Sequence, residues 1–187
     1  MSSPASHSQA DRKTVPASTS PRFLTAAESS AWLATRGLAE GPVPGTPGTC
    51  FFQFAPRPTF VGLRELFTVL LDDAGPFRGG LLRFDGWQWD GGCESDPTAS
   101  YRRGRGDWRS LRQAPGFVFG ADESAEVADL LALVVERRWS ASFYASSKVA
   151  TWRLRDGNRV DVFAANLGVE RRMQHRLVRL GAVLFIP

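Results

Sequence analysis

The residues best suited to chemistry or recognition fall in two adjacent blocks of opposite charge. The first runs Asp85-Gly86-Trp87-Gln88-Trp89-Asp90-Gly91-Gly92-Cys93-Glu94-Ser95-Asp96 and carries four carboxylates, two tryptophans and no basic residue, a local charge of −4. Asp90, Glu94 and Asp96 are hard oxygen ligands of the kind that hold Mg²⁺ or Ca²⁺ and assist hydrolysis, although their spacing matches no calcium loop. A plainer reading has the tryptophans closing a core at a strand end, with the carboxylates solvated. A third makes Trp87 and Trp89, flanked by Asp85, Asp90, Glu94 and Asp96, a patch that contacts a partner. Aromatic anchors dominate interface energetics, and surrounding charge selects the partner.

The second block, 101–113, sets five arginines (Arg102, Arg103, Arg105, Arg109 and Arg112) against Asp107 alone, a local +4 that equals the net charge of the whole chain. Arginines interleaved with Tyr101, Trp108 and glycines can follow a phosphate backbone while bases stack on the rings. The same guanidiniums can instead fold back onto the acidic segment or dock a protein partner. Only Lys13 and Lys148 are lysines, and isoleucine occurs once, as Ile186. That bias towards arginine, alanine, glycine and proline looks like a GC-rich coding sequence and raises the basic count without any nucleic-acid role. The Arg171, Arg172, Arg176 and Arg179 run near the C-terminus reads first as a solvated helix face and second as an RNA or DNA contact.

Several chemistries are excluded by reading. There is no Walker-type phosphate loop, no dinucleotide glycine fingerprint and no Gly-x-Ser-x-Gly elbow. Two cysteines, Cys50 and Cys93, make neither a disulfide scaffold nor a four-cysteine zinc site. Two histidines leave Cys93 with His175 as its one folded candidate base, and His175 is more simply a cation near a helix end. Trp139, Phe143 and Trp152 could line a pocket in a sheet, but they alternate as a core would.

The elements that must position these residues follow from pattern. Residues 1–20, rich in Ser, Ala, Thr and Pro, bury too little to offset chain entropy and are expected to form a disordered leader without a secretory apolar region. Thr25 and Glu28 have capping-box spacing, opening a short helix through Trp32 and Leu33 that stops at Gly37. Residues 41–48 are a Pro/Gly linker. Beyond it, 51–54 reads as a strand, and a helix from Pro58-Thr59 carries Phe60, Leu63, Phe67, Leu70 and Leu71 on one face. A strand is expected over 81–89 with a kink at Gly86, a long loop over 90–115 and a short strand over 117–119. The apolar stripe Val127, Leu130, Leu131, Val134 and Val135 marks a helix over 122–138. Trp139–Ala145 alternates as a strand. A hairpin over 149–155 and 159–164 turns at Asp156-Gly157-Asn158, with Trp152, Leu154, Val160 and Val162 inward and Arg153, Arg155 and Asp161 outward. A helix through Val169, Met173, Leu177 and Leu180 and a strand over 182–186 close the chain.

The expected fold is α+β: a single domain over 49–187 with a mixed, mostly antiparallel sheet and two to three helices packed on it, preceded by the leader (1–20) and by the short helix and linker (21–48). No run of about 18 apolar residues occurs, so no membrane-spanning helix is expected. The expected function is a non-enzymatic interaction module of the bacterial cytoplasm, of the kind that neutralises a toxin or effector domain, presenting Asp85, Trp87, Trp89, Asp90, Glu94, Asp96, Tyr101, Arg102, Arg103, Arg105 and Trp108 to a protein partner. No cofactor or metal is expected for it. The competing expectations are nucleic-acid binding through 101–112 and the last helix, and metal-assisted hydrolysis at Asp90, Glu94 and Asp96.

Overall fold

The computed structural model describes residues 22–42, 44–45, 48–56, 60–87, 96–156 and 158–185. The leader expected over 1–20 lies outside the described residues. In chain order the elements are β1 (Phe23–Leu24), α1 (Ala26–Thr35), β2 (Cys50–Ala55), α2 (Phe60–Asp73), β3 (Gly80–Gly86), α3 (Ala99–Arg103), β4 (Gly116–Phe119), α4 (Ser124–Glu136), β5 (Ser140–Ala145), β6 (Ala150–Arg155), β7 (Arg159–Ala164), α5 (Leu167–Arg179) and β8 (Val183–Phe185).

The strands form one sheet in the order β1-β4-β3-β5-β6-β7-β2-β8, and the fold is α+β. Every ladder among the described residues is antiparallel. The parallel component expected from the β-α-β alternation is absent from the ladders for a topological reason. Strands β4 and β5 run parallel on either side of α4 in sequence, but β3 lies between them; likewise β2 lies between β7 and β8 around α5. Each helix thus crosses over one intervening strand, a split β-α-β arrangement.

Helices α2, α4 and α5 cover one face of the sheet through the apolar stripes legible in their sequences. Phe67 and Leu70 of α2, Leu131 and Val134 of α4, and Met173 and Leu177 of α5 meet Phe54, Leu82, Phe143 and Trp152 of the sheet in one core. The Trp152 and Phe143 rings stack with centroids 5.2 Å apart. All four inward residues expected of the hairpin, Trp152, Leu154, Val160 and Val162, are fully buried here.

A second, smaller core lies on the opposite face. Leu24, Leu33, Leu81 and Tyr144 are buried together, with Trp32, Leu38 and Val118 packed at their edge. The capping box forms as expected: the Thr25 hydroxyl accepts from Glu28 N at 3.2 Å and Glu28 Oε2 accepts from Thr25 N at 2.7 Å. Gly37, in the left-handed region, ends the helix and leads into a strap over 38–42. Helix α1 approaches the sheet so closely that a Cβ at Gly116 would run into the Ser29 hydroxyl. The Tyr144 hydroxyl accepts from Gly41 N at 3.3 Å, and Glu40 is bonded to Arg83 and to the Ser30 hydroxyl, which fixes the strap on the sheet.

The segment before the linker is therefore packed on the same sheet as the rest, and Leu33 tests it. Leu33→Ala is expected to destabilise the fold by about 2–4 kcal/mol, the usual cost of emptying a fully buried leucine site. Chemical denaturation measures it; a loss below about 0.5 kcal/mol, the range of surface substitutions, would mean that α1 is not docked in solution.

Candidate functional site

The 90–115 stretch is not the uninterrupted loop expected from sequence, because α3 forms within it. Five residues cannot sustain a helix alone, so its stability comes from what it touches. Asp96 starts it: Oδ1 accepts from Thr98 N at 2.9 Å and from Thr98 Oγ1 at 2.6 Å, while its carbonyl accepts from Ala99 N at 2.8 Å. Tyr101 lies flat on Phe117, 6.0 Å between centroids, and meets Phe23 edge-on.

Arg102 is the centre of this region. It is 1% exposed, its guanidinium lies 5.3 Å from the Phe23 ring centre and 5.4 Å from that of Phe117, and Nη1 donates to the Ala114 carbonyl at 3.2 Å. Nη2 faces Asp107 at 3.6 Å. A buried charge is tolerable when paired and bonded, and the two ring faces add cation–π attraction. Burial pulls the Arg102 pKa below its ordinary value, with Asp107 and Asp96 opposing. Burial also works against the charge on Asp107, but the side-chain and backbone hydrogen bonds from Arg109 outweigh it and hold that carboxyl below the usual range.

A tight turn follows. Arg105 N and Asp107 N both donate to the Arg102 carbonyl at 3.0 Å, and Gly106 takes positive φ. Arg109 then clamps the turn: Nη2 donates to Asp107 Oδ2 at 2.6 Å and to the Phe23 carbonyl at 2.8 Å, and its backbone N donates to Asp107 Oδ1 at 2.8 Å. Trp108 sits between these two anchored residues and is 78% exposed. The Arg103 guanidinium stands 5.7 Å from its ring centre.

The five arginines divide sharply. Arg102 and Arg109 pair with Asp107, and Arg105 lies 3.8 Å over the Tyr101 ring and pairs with Glu123, just before α4, and Glu126, within it, at 3.8 and 3.7 Å. Glu123 also takes Arg22 and accepts from Gly120 N at 2.7 Å. Arg103 and Arg112 are exposed and form no ion pair among the described residues. Among the described residues, the ion-pair partners of Arg102, Arg105 and Arg109 come from the turn itself and from the start of α4.

Of the acidic block, the described residues Asp85 and Trp87 do not join the arginines in one surface. Trp89, Asp90 and Glu94 lie outside the described residues. Strand β3 ends at Gly86, short of the expected 89, and Trp87 beyond it is half-buried and packed against the main core. The expected kink is present one residue earlier, as a register shift between Phe84 and Gly86 that leaves Asp85 unpaired in the ladder. Asp85 turns to the sheet face opposite α3, where it accepts from Arg83 Nε at 2.9 Å and from the Ser142 hydroxyl at 2.5 Å. Asp96 is engaged in starting α3. Among the described residues no three His, Cys, Asp or Glu side chains are grouped so as to hold a metal ion.

Sequence reasoning missed a polar row on that opposite face. Arg83, Ser142, Arg153, Asp161 and Gln53 are successive cross-strand partners on β3, β5, β6, β7 and β2. The period-two alternation was visible strand by strand, but only the strand order aligns it. Asp161, expected outward and solvated, does lie on this face, yet it is fully buried beneath Arg155 at 2.6 Å and Gln53 at 2.8 Å.

Two measurements follow from α3. Arg102→Ala leaves two aromatic faces and the Ala114 carbonyl without their partner, and a loss on the order of 3 kcal/mol is expected in denaturation; a loss under 0.5 kcal/mol would contradict the central position assigned to it. Burial pushes the Tyr101 phenol up to about 12, with Arg105 opposing. An unfolded tyrosine loses its proton near 10, so between those values the unfolded chain binds fewer protons and stability falls as pH rises. The difference between wild-type and Tyr101→Phe absorbance titrations should show a phenol ionising near 12; ionisation at an ordinary value would show that Tyr101 is not packed on Phe117.

Compared with protein-family models, curated proteins and solved structures, the chain returns no match, so its own geometry is what a functional assignment has to rest on.

Proposed function

We propose that the protein is a non-enzymatic interaction module that docks a protein partner through Trp108, the Arg103 guanidinium beside it and the exposed Arg112. The observation that carries this is the exposure of Trp108, 78%, on a turn fastened at both neighbours. An indole brings 150–250 Å² of burial to an interface, and tryptophan and arginine are the residues that most often dominate binding energy. Because Asp107 and Arg109 are held in place, little ordering entropy remains to be lost when a partner closes over the ring.

The charge around it defines the partner. Arg103 and Arg112 favour an apolar pocket rimmed by carboxylates, and a toxin or effector domain with such a cleft is the concrete case. Binding to a nucleic-acid backbone is less well supported, since tracking phosphates needs a run of free cations and three of the five arginines here are paired with carboxylates. Of the acidic segment, Trp87 packs on the core and Asp85 faces the other side of the sheet, so neither adds to this docking surface.

Trp108→Ala and Arg103→Glu separate the alternatives. Each should leave stability within about 0.5 kcal/mol of wild type, as exposed positions do. A partner isolated from the native host on the wild-type protein should bind Trp108→Ala at least about 30-fold more weakly, the loss of a hot-spot residue. Undiminished binding by both variants, or capture of nucleic acid with no protein, would overturn the proposal.

A further inference from the structure

The polar row on the helix-free face has a gap in its pairing. Arg83, at one end, is bonded to Glu40 of the strap and to Asp85. Arg155, beside the other end, is bonded to Asp161, which also accepts from Gln53. Arg153 lies between these two pairs, half-buried, and makes no ion pair among the described residues.

The strap passes close to its guanidinium. Gly41 takes φ +60°, and a Cβ there would meet Arg153 Nη2 at 2.8 Å. The positive φ favours glycine at 41 and brings the strap backbone against the guanidinium. Below the strap, Arg83, Asp85, Ser142, Arg153 and Arg155 line a depression of about 330 Å³ open to solvent. That lining sets three guanidiniums against one carboxylate, and Asp85 is already accepting from Arg83 and from the buried Ser142 hydroxyl. Ser140, at the rim, exchanges hydrogen bonds with Asp156.

We propose that Arg153 and Arg155 bind a small oxyanion, phosphate or carboxylate, in this depression. The chemistry is that of the row itself: Glu40 on Arg83 and Asp161 on Arg155 show which group a guanidinium on this face takes, and Arg153 is the member left without one. A planar guanidinium offers paired N–H donors matched to two oxygens, and half-burial against the strap leaves less water to displace than around a fully exposed arginine. The ligand bridges Arg153 and Arg155, which project from the same face of β6 two residues apart. This site is on the opposite side of the sheet from Trp108 and does not depend on the partner docking there.

Calorimetric titration of the full chain with inorganic phosphate and, separately, with malonate at constant ionic strength is the test. At least one of the two should bind saturably, and Arg153→Gln should weaken it tenfold or more while Arg103→Gln leaves it unchanged. Phosphate alone would identify a phosphoryl-type ligand, malonate alone a carboxylate. No saturable binding of either anion, or equal binding by Arg153→Gln, overturns the site. Should Arg153→Gln fail to fold, the arginine Nε–H resonances of the wild-type protein decide: those of Arg153 and Arg155 should shift on saturation, and shifts confined to Arg103 and Arg112 would refute it.

Discussion

Strands β3 and β5 are buried on both faces, and most of the architecture follows from that. Leu81 and Leu82 are adjacent and both inaccessible; so are Phe143 and Tyr144. Neighbouring residues on a strand point to opposite sides, so a sheet with such pairs needs two covers. Helices α2 and α4 supply one and α1 with its strap the other. The close approach of α1 explains glycine at 116, and the passage of the strap explains glycine at 41. Beyond the strap the cover ends, and the same face turns from Leu81 and Tyr144 to Arg83, Ser142 and Arg153. The polar row is thus the margin where the second core meets water.

The arginine stretch shows why a local charge sum overstates free charge. Arg102 is a structural residue that joins β1, β4 and the 107–109 turn, and Arg109 reaches back to the β1 carbonyl. Arg105 lies on Tyr101 and finds Glu123 and Glu126, acids at the start of α4 that also suit the positive end of that helix. None of these partners is in the adjacent acidic block. Proximity in sequence does not reveal these partners, because β4 and the turn into α4 bring Glu123 and Glu126 to Arg105 from about twenty positions away.

Long periodic segments were legible. The stripes of α2, α4 and α5, the capping box of α1 and the inward set of the hairpin all reflect burial on a single face, which sequence period reports directly. Elements held by tertiary contact were not. Strand β1 has two residues and α3 five, too short to carry any period, and each exists because Phe23, Phe117 and Arg102 pack together. Of the candidate site, the residue types were readable and the exposures were not. Trp87 and Trp108 have equally polar neighbours in sequence, yet one leaves a strand end towards the helices and packs on the core while the other crowns a turn. Asp161 misled for a related reason: alternation placed it on the correct face, but sequence cannot show that Arg155 and Gln53 close over it.

Trp108 and Arg153 occupy opposite sides of the same sheet, and that separation has an energetic consequence. Salt screens solvent-exposed charges beyond a Debye length of about 10 Å at 0.1 M. The carboxylate contacts that hold each region are local: Asp107 with Arg102 and Arg109 on one side, Asp161 with Arg155 and Gln53 on the other. Among the described residues, the chain from β1 to the strap touches both regions. Its start accepts from Arg109 at the Phe23 carbonyl, and its end lies over Arg153 at Gly41. Coupling along this segment passes through α1, whose docking rests on Leu33 and the Ser29–Gly116 approach, so loosening that helix should disturb both sites while a charge change at either should leave the other intact.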